Sequence, residues 1–137
     1  MPTYSNTSKT KLYTAHPDLI KIFETVIKYF DNTIVCGHRG QDEQQEAYDK
    51  GYSKVQYPNS KHNQLPSMAI DSVPYPIDWE DINRMRYYAG FVVAISHMLY
   101  EAGEIDHVVR WGGDWDKDTE LKDNRFQDLP HFELYKP

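Results

Sequence analysis

The stretch SKHNQLPSMAIDSVPY, residues 60–75, decides the fold. Its first half is turn chemistry: Ser60, Asn63, Pro66 and Ser67 favour bends and self-bonded backbone over a helix or strand. Its second half, MAIDSVPY (68–75), is a short apolar run halted by Pro74 and Pro76, and it reads as a strand. His62 therefore hangs from a loop, while Asp71 stands on a rigid strand. The turn-rich character extends back to residue 52, and a loop of that length inside a compact chain is commonly functional. A core histidine needs no such setting, whereas a metal ligand often does.

Working outward, the elements on either side alternate in type. Pro17 suits the first turn of a helix, and Leu19, Ile20, Phe23, Val26, Ile27 and Phe30 then recur at helical spacing. TIVCGHR (33–39) reads as a strand ending at Gly37, and QDEQQEAYDKG (41–51) as a polar helix closed by Gly51. Downstream, Asp78 is placed to cap a long helix, with Asp81 in its first turn and Gly103 beyond its end. Its apolar patch, YYAGFVVAISHMLY (87–100), reads as buried. HVVRWGG (107–113) and HFELY (131–135) are two further strands separated by an acidic loop. The first dozen residues are polar and are expected to be loosely held. This order predicts one α+β domain over residues 1–137, a small, mainly antiparallel sheet packed with about three helices.

A formal net charge of −6 argues against a nucleic-acid partner and a polybasic membrane role. No window holds the roughly 18 apolar residues of a membrane span, so no stable membrane insertion is expected. The N-terminus lacks an apolar signal region and is not clearly amphipathic, so neither a secretory signal nor a transit peptide is read there. Cys36 is the single cysteine, which rules out an internal disulfide and reads as a small core residue. A monomer is expected.

Six histidines compete for any chemical role. His16 sits before Pro17 and reads as a surface or capping residue. His97 lies within the long helix and His107 starts a strand, and neither is read as a ligand. His38 stands beside the cation Arg39, which disfavours a metal there. His62 and His131 remain, the latter in QDLPHFE with Asp128 three residues before it and Glu133 two after. Two histidines and one carboxylate form a three-ligand zinc site with an open fourth position. Zinc lowers the pKa of water to about 7, and a neighbouring carboxylate can move its proton. There is no HExxH helix, and by spacing alone a domain without metal stays open. GDWDKDTE (113–120) alternates Asp114, Asp116, Asp118 and Glu120, like the start of a calcium loop without its glycine and terminal glutamate. A solvated acidic turn is the competing reading.

SKHNQLPSMAID and DLPHFE together resemble the signature of the zinc peptidases that cut peptidoglycan stem peptides. That family includes D-alanyl-D-alanine carboxypeptidases and dipeptidases and the L-alanyl-D-glutamate endopeptidases used as phage endolysins. The resemblance extends to HPDL (16–19), VCGHRGQDEQ (35–44), AIDSVPY (69–75) and RWGGDW (110–115), and so covers about residues 16 to 135. SKHN, DSVPY and GGDW bring it nearest the endolysin members. It implies zinc on His62, Asp71 and His131, with Asp128 as general base and Glu133 as its rival. Arg39 would be the cation on the substrate side, and Ser60 would bond near the metal or the substrate. The step from His62 to Asp71 is wider than in the best-known members, and the Asn63–Pro66 loop accommodates the extra residues.

The expected function is cleavage of the stem peptide at the L-alanyl-D-glutamate bond during host lysis. The enzyme would wait in the cytoplasm of the infected bacterium before release to the periplasm and wall. The alternatives are a D-alanyl-D-alanine carboxypeptidase and, in another class, a non-catalytic wall-binding or structural phage component.

Overall fold

A computed structural model describes residues 1–121 and 127–137. The elements run α1 (Asn6–Leu12), α2 (Pro17–Val26), β1 (Asn32–Cys36), α3 (Gln41–Asp49), a single 3-10 turn (Lys61–Asn63), β2 (Ala69–Pro74), α4 (Ile82–Glu101), β3 (Val108–Trp111) and β4 (His131–Tyr135). The four strands form one antiparallel sheet in the order β1-β2-β4-β3. The fold is α+β, as the order of elements predicts.

Alternation along the strands divides the sheet into two faces. Ile70 pairs with Phe132, and both turn into the core beneath α2 and α4. There Phe132 meets Phe23 and Tyr88 edge-on, with ring centroids 5.8 and 6.0 Å apart. The intervening residues, Asp71, His131 and Glu133, belong to the other face. Asp71 lies directly opposite His131 in the β2–β4 register and opposite Cys36 in the β1–β2 register. A one-residue slip would send these groups into the core, so burial of Ile70, Phe132 and Leu134 fixes the register of the polar face.

Three expectations need correction. The first residues are ordered: Ser5 caps α1 by accepting from the Ser8 backbone N–H, Tyr4 is buried, and Leu12 is fully buried. The Tyr4 hydroxyl also bonds the Phe23 carbonyl and Asn32 Oδ1 at 3.1 and 2.8 Å. Two apolar anchors in a polar segment are too sparse to show a helical period, so α1 adds a fourth α-helix to the three expected. The cap of α4 is Asp81, whose side chain accepts from the Arg84 backbone N–H; Asp78 instead holds the preceding turn through Glu80 N–H. Cys36 is half-buried and faces the cleft rather than the core. Gly51 and Gly103 follow α3 and α4 with φ of +78° and +77°, the left-handed geometry expected after a helix end.

Candidate active site

Three donor atoms converge on the polar face of the sheet. His62 Nε2 lies 3.1 Å from Asp71 Oδ1 and 3.2 Å from His131 Nδ1, and His131 Nδ1 lies 3.3 Å from Asp71 Oδ1. The β2–β4 register brings two of these residues together. The third is delivered by the 3-10 turn, which Ser60 caps by accepting from the His62 backbone N–H at 3.1 Å. Arg39 N–H to the His62 carbonyl and Asn63 Nδ2 to the Arg39 carbonyl tie that turn to the segment after β1. Ser60 thus acts on the site through the backbone of His62.

Tautomers follow from the outer partners of the two rings. His62 Nδ1 lies 2.8 Å from the Gly37 carbonyl, which can only accept, so in the neutral ring Nδ1 keeps the proton and Nε2 is the atom free to bind a cation. His131 Nε2 lies 2.8 Å from Glu133 Oε1. Burial raises the Glu133 carboxyl, but contacts with His131 and Arg110 outweigh it and hold the carboxyl at about 2. Glu133 is therefore an acceptor, so in the neutral ring His131 Nε2 keeps the proton and Nδ1 is the atom free to bind a cation. Two ring nitrogens and a carboxylate oxygen so close need a shared proton or a metal ion among them. Burial alone would lower His62, yet the Asp71 carboxylate overrides it and pushes the imidazole up to about 10. Asp71 stays well below the usual carboxylate range because both imidazoles outweigh its desolvation.

A tetrahedral zinc with bonds of about 2.0–2.1 Å has ligand-to-ligand edges of about 3.3–3.4 Å, close to the triangle formed here. The donor set fits such an ion.

Asp71 Oδ2 receives Arg39 Nη2 at 3.3 Å, and Gln44 Oε1 holds Arg39 Nη1 at 2.9 Å. The side-chain partners of Arg39 are thus Asp71 and Gln44. Asp128 lines the cleft beside the three donors. Burial first, and then the Asp71 carboxylate, push its carboxyl up to about 6, while His131, His62 and Arg39 pull it back. Its backbone is fixed by Asp128 N–H to the Gly112 carbonyl at 2.8 Å and by His131 N–H to its own carbonyl at 3.0 Å. A Cβ at Gly112 would run into the Asp128 carbonyl, so glycine permits this approach. Glu133, the rival base, has both oxygens engaged: Oε1 by His131 and Oε2 by Arg110 at 2.7 Å.

Sequence reading missed Arg110, Gly112 and Trp115. Arg110 lies opposite Glu133 across β3–β4 and stacks over Trp115, whose ring is 5.5 Å from that of His131. Only the strand register reveals this chain of contacts. His107 likewise finds a distant carboxylate: Nδ1 lies 2.7 Å from Asp18 Oδ2, which also accepts from Asp106 N–H. His16 caps α2 by accepting from Asp18 N–H, so the trio fastens the start of α2 to the start of β3. In the acidic turn, Asp114, Asp116 and Asp118 bring one oxygen each within 4.8 Å of the others; Glu120 lies outside this group. Left-handed φ at Lys117 and Thr119 curls the turn, and Asp114 Oδ1 is buried without a hydrogen-bond partner among the described residues.

The profile of the phage L-alanyl-D-glutamate peptidases matches residues 2–135. The chain belongs to this family. A solved structure, the L-Ala D-Glu endopeptidase ChiX of Serratia marcescens, is 26% identical and superimposes with a TM-score of 0.70, covering 96% of this chain and 89% of the other. Curated proteins gave no match. This L-alanyl-D-glutamate peptidase has the fold of its solved relative, and the converging His62, Asp71 and His131 give it a group able to hold a metal.

Proposed function

We propose that this peptidase is a zinc enzyme that cuts the L-alanyl-D-glutamate bond of the peptidoglycan stem peptide as a phage endolysin. The observation that carries the zinc reading is the convergence of His62 Nε2, Asp71 Oδ1 and His131 Nδ1 on one point, all within 3.3 Å of one another. Zinc bound there supplies Lewis acidity, which acidifies water and polarises a peptide carbonyl. Asp128 takes the proton of the attacking water and passes it to the departing D-glutamyl amine. Its carboxyl at about 6 suits both directions of transfer near neutral pH. Arg39 faces the oxyanion that develops on the scissile carbonyl. Glu133 keeps His131 in the tautomer the metal requires and is not the base.

The family match favours this bond over release of terminal D-alanine, and the completeness of the site speaks against a non-catalytic wall component. No helix among the described residues is long and apolar enough to cross a membrane. In this reading the enzyme is monomeric and stays in the infected cell's cytoplasm until it reaches the periplasm and wall. Calcium is proposed on Asp114, Asp116 and Asp118, next to Trp115. Adding calcium to zinc-restored protein should then raise its stability or activity, and no change in either would refute it.

Metal analysis of the purified protein tests the zinc reading. One zinc per chain is expected, with cleavage abolished by a chelator and restored by zinc. Full activity in metal-stripped protein would overturn it.

A further inference from the structure

The cleft across the three donors has two halves of unlike chemistry, joined through Arg39, Tyr52 and Asp128, which line both. One half, about 780 Å³, is walled by Trp79, Ile82, Met85, Leu129 and Pro130, and among the described residues its only Lys or Arg is the shared Arg39. The other, about 310 Å³, adds Lys54, Lys61 and Arg110. Arg110 is committed to Glu133. Lys61 sits between Ser60, which caps the turn, and the donor His62, so the turn that delivers the donor also delivers a cation. In a chain of net charge −6, two lysines on one side of the donors and none described on the other give the cleft a polarity.

The substrate has a matching polarity. On the amino side of the scissile bond lie the alanine methyl, the lactyl ether and an N-acetylated sugar, all uncharged. On the carboxyl side, D-glutamate continues through its γ-carboxyl and keeps a free α-carboxylate, and later stem residues carry further carboxylates. We propose that the stem peptide crosses the cleft in one direction. Its D-glutamyl side lies toward Lys54 and Lys61, with Lys61 meeting the α-carboxylate, and its muramoyl-L-alanyl side lies against Trp79 and Met85. Lys61 is thereby a specificity residue for a free α-carboxylate beside the cut. This assignment rests on the L-alanyl-D-glutamate reading of the site.

The test uses two muramoyl stem peptides that differ only at the D-glutamate α-position, one a free acid and one an amide. The zinc-loaded wild type should prefer the acid by about tenfold in kcat/KM, the worth of one charge-assisted hydrogen bond. Lys61→Gln should bring the ratio near one by losing rate on the acid alone, and Lys61→Glu should invert it. Trp79→Ala should raise KM for muramoyl substrates but not for peptides that begin at L-alanine. An undiminished preference for the acid in the Lys54→Gln/Lys61→Gln double variant overturns the assignment, as does a wild type indifferent to the amide. A wild type that cuts neither peptide, or removes only D-alanine, overturns the parent reading and this one with it.

Discussion

Two carboxylates flank His131, and their surroundings give them different work. Asp128 is half-buried, near another carboxylate, and open to the cleft, whereas Glu133 is clamped by His131 and Arg110. Replacing Asp128 with Asn should abolish cleavage while zinc stays bound. Replacing Glu133 with Gln should preserve cleavage at saturating zinc but weaken zinc affinity about 10- to 100-fold, read by chelator competition. Retained cleavage in Asp128→Asn would return the base role to Glu133. The sign of the pH dependence follows from the raised Asp128 carboxyl. It is protonated, and useless as a base, below about 6, and is a carboxylate above. A cation on the three donors lowers that value further, so kcat/KM should rise through an acid limb at or below about pH 6. A limb centred above pH 7 would assign it to another group.

At the scale of elements, the site depends on close backbone approaches as much as on its side chains. Gly112 lets the segment after β3 fold back onto the Asp128 peptide, where its carbonyl accepts from Asp128 N–H and its N–H donates to the His131 carbonyl. Gly112→Ala should leave the core folded, because Phe132, Phe23 and Tyr88 lie on the opposite face, but displace Asp128, the proposed base. A shift of about 1 Å in a catalytic group costs on the order of 100-fold in rate. Wild-type kcat in that variant, measured with its circular dichroism, would show that the approach does not matter. The strands and the three longer helices were legible because each has either a clear apolar period or turn residues at its ends. Helix α1 was not, since its stability comes from Tyr4 and Leu12 docking on distant residues rather than from its own pattern. His62, Asp71, Asp128 and His131 could be named because the resemblance joined two motifs far apart in the chain. Arg110, Gly112 and the Asp18–His107 pair could not, because each acquires its role only through strand register or long-range packing.

For the molecule as a whole, a small antiparallel sheet separates an aromatic core from a charged face that carries the group able to hold a metal, and one register serves both. The donors on that face come from the loop before β2, from β2 and from β4, so zinc would join segments well separated in sequence. The most direct test of the account is digestion of purified peptidoglycan by metal-stripped, zinc-restored and zinc-restored Asp128→Asn protein, with mass spectrometry of the products. The account predicts fragments with new L-alanine carboxyl termini and D-glutamate amino termini from the zinc-restored wild type alone. Equal fragments from the stripped protein, or loss of terminal D-alanine as the only product, would contradict it.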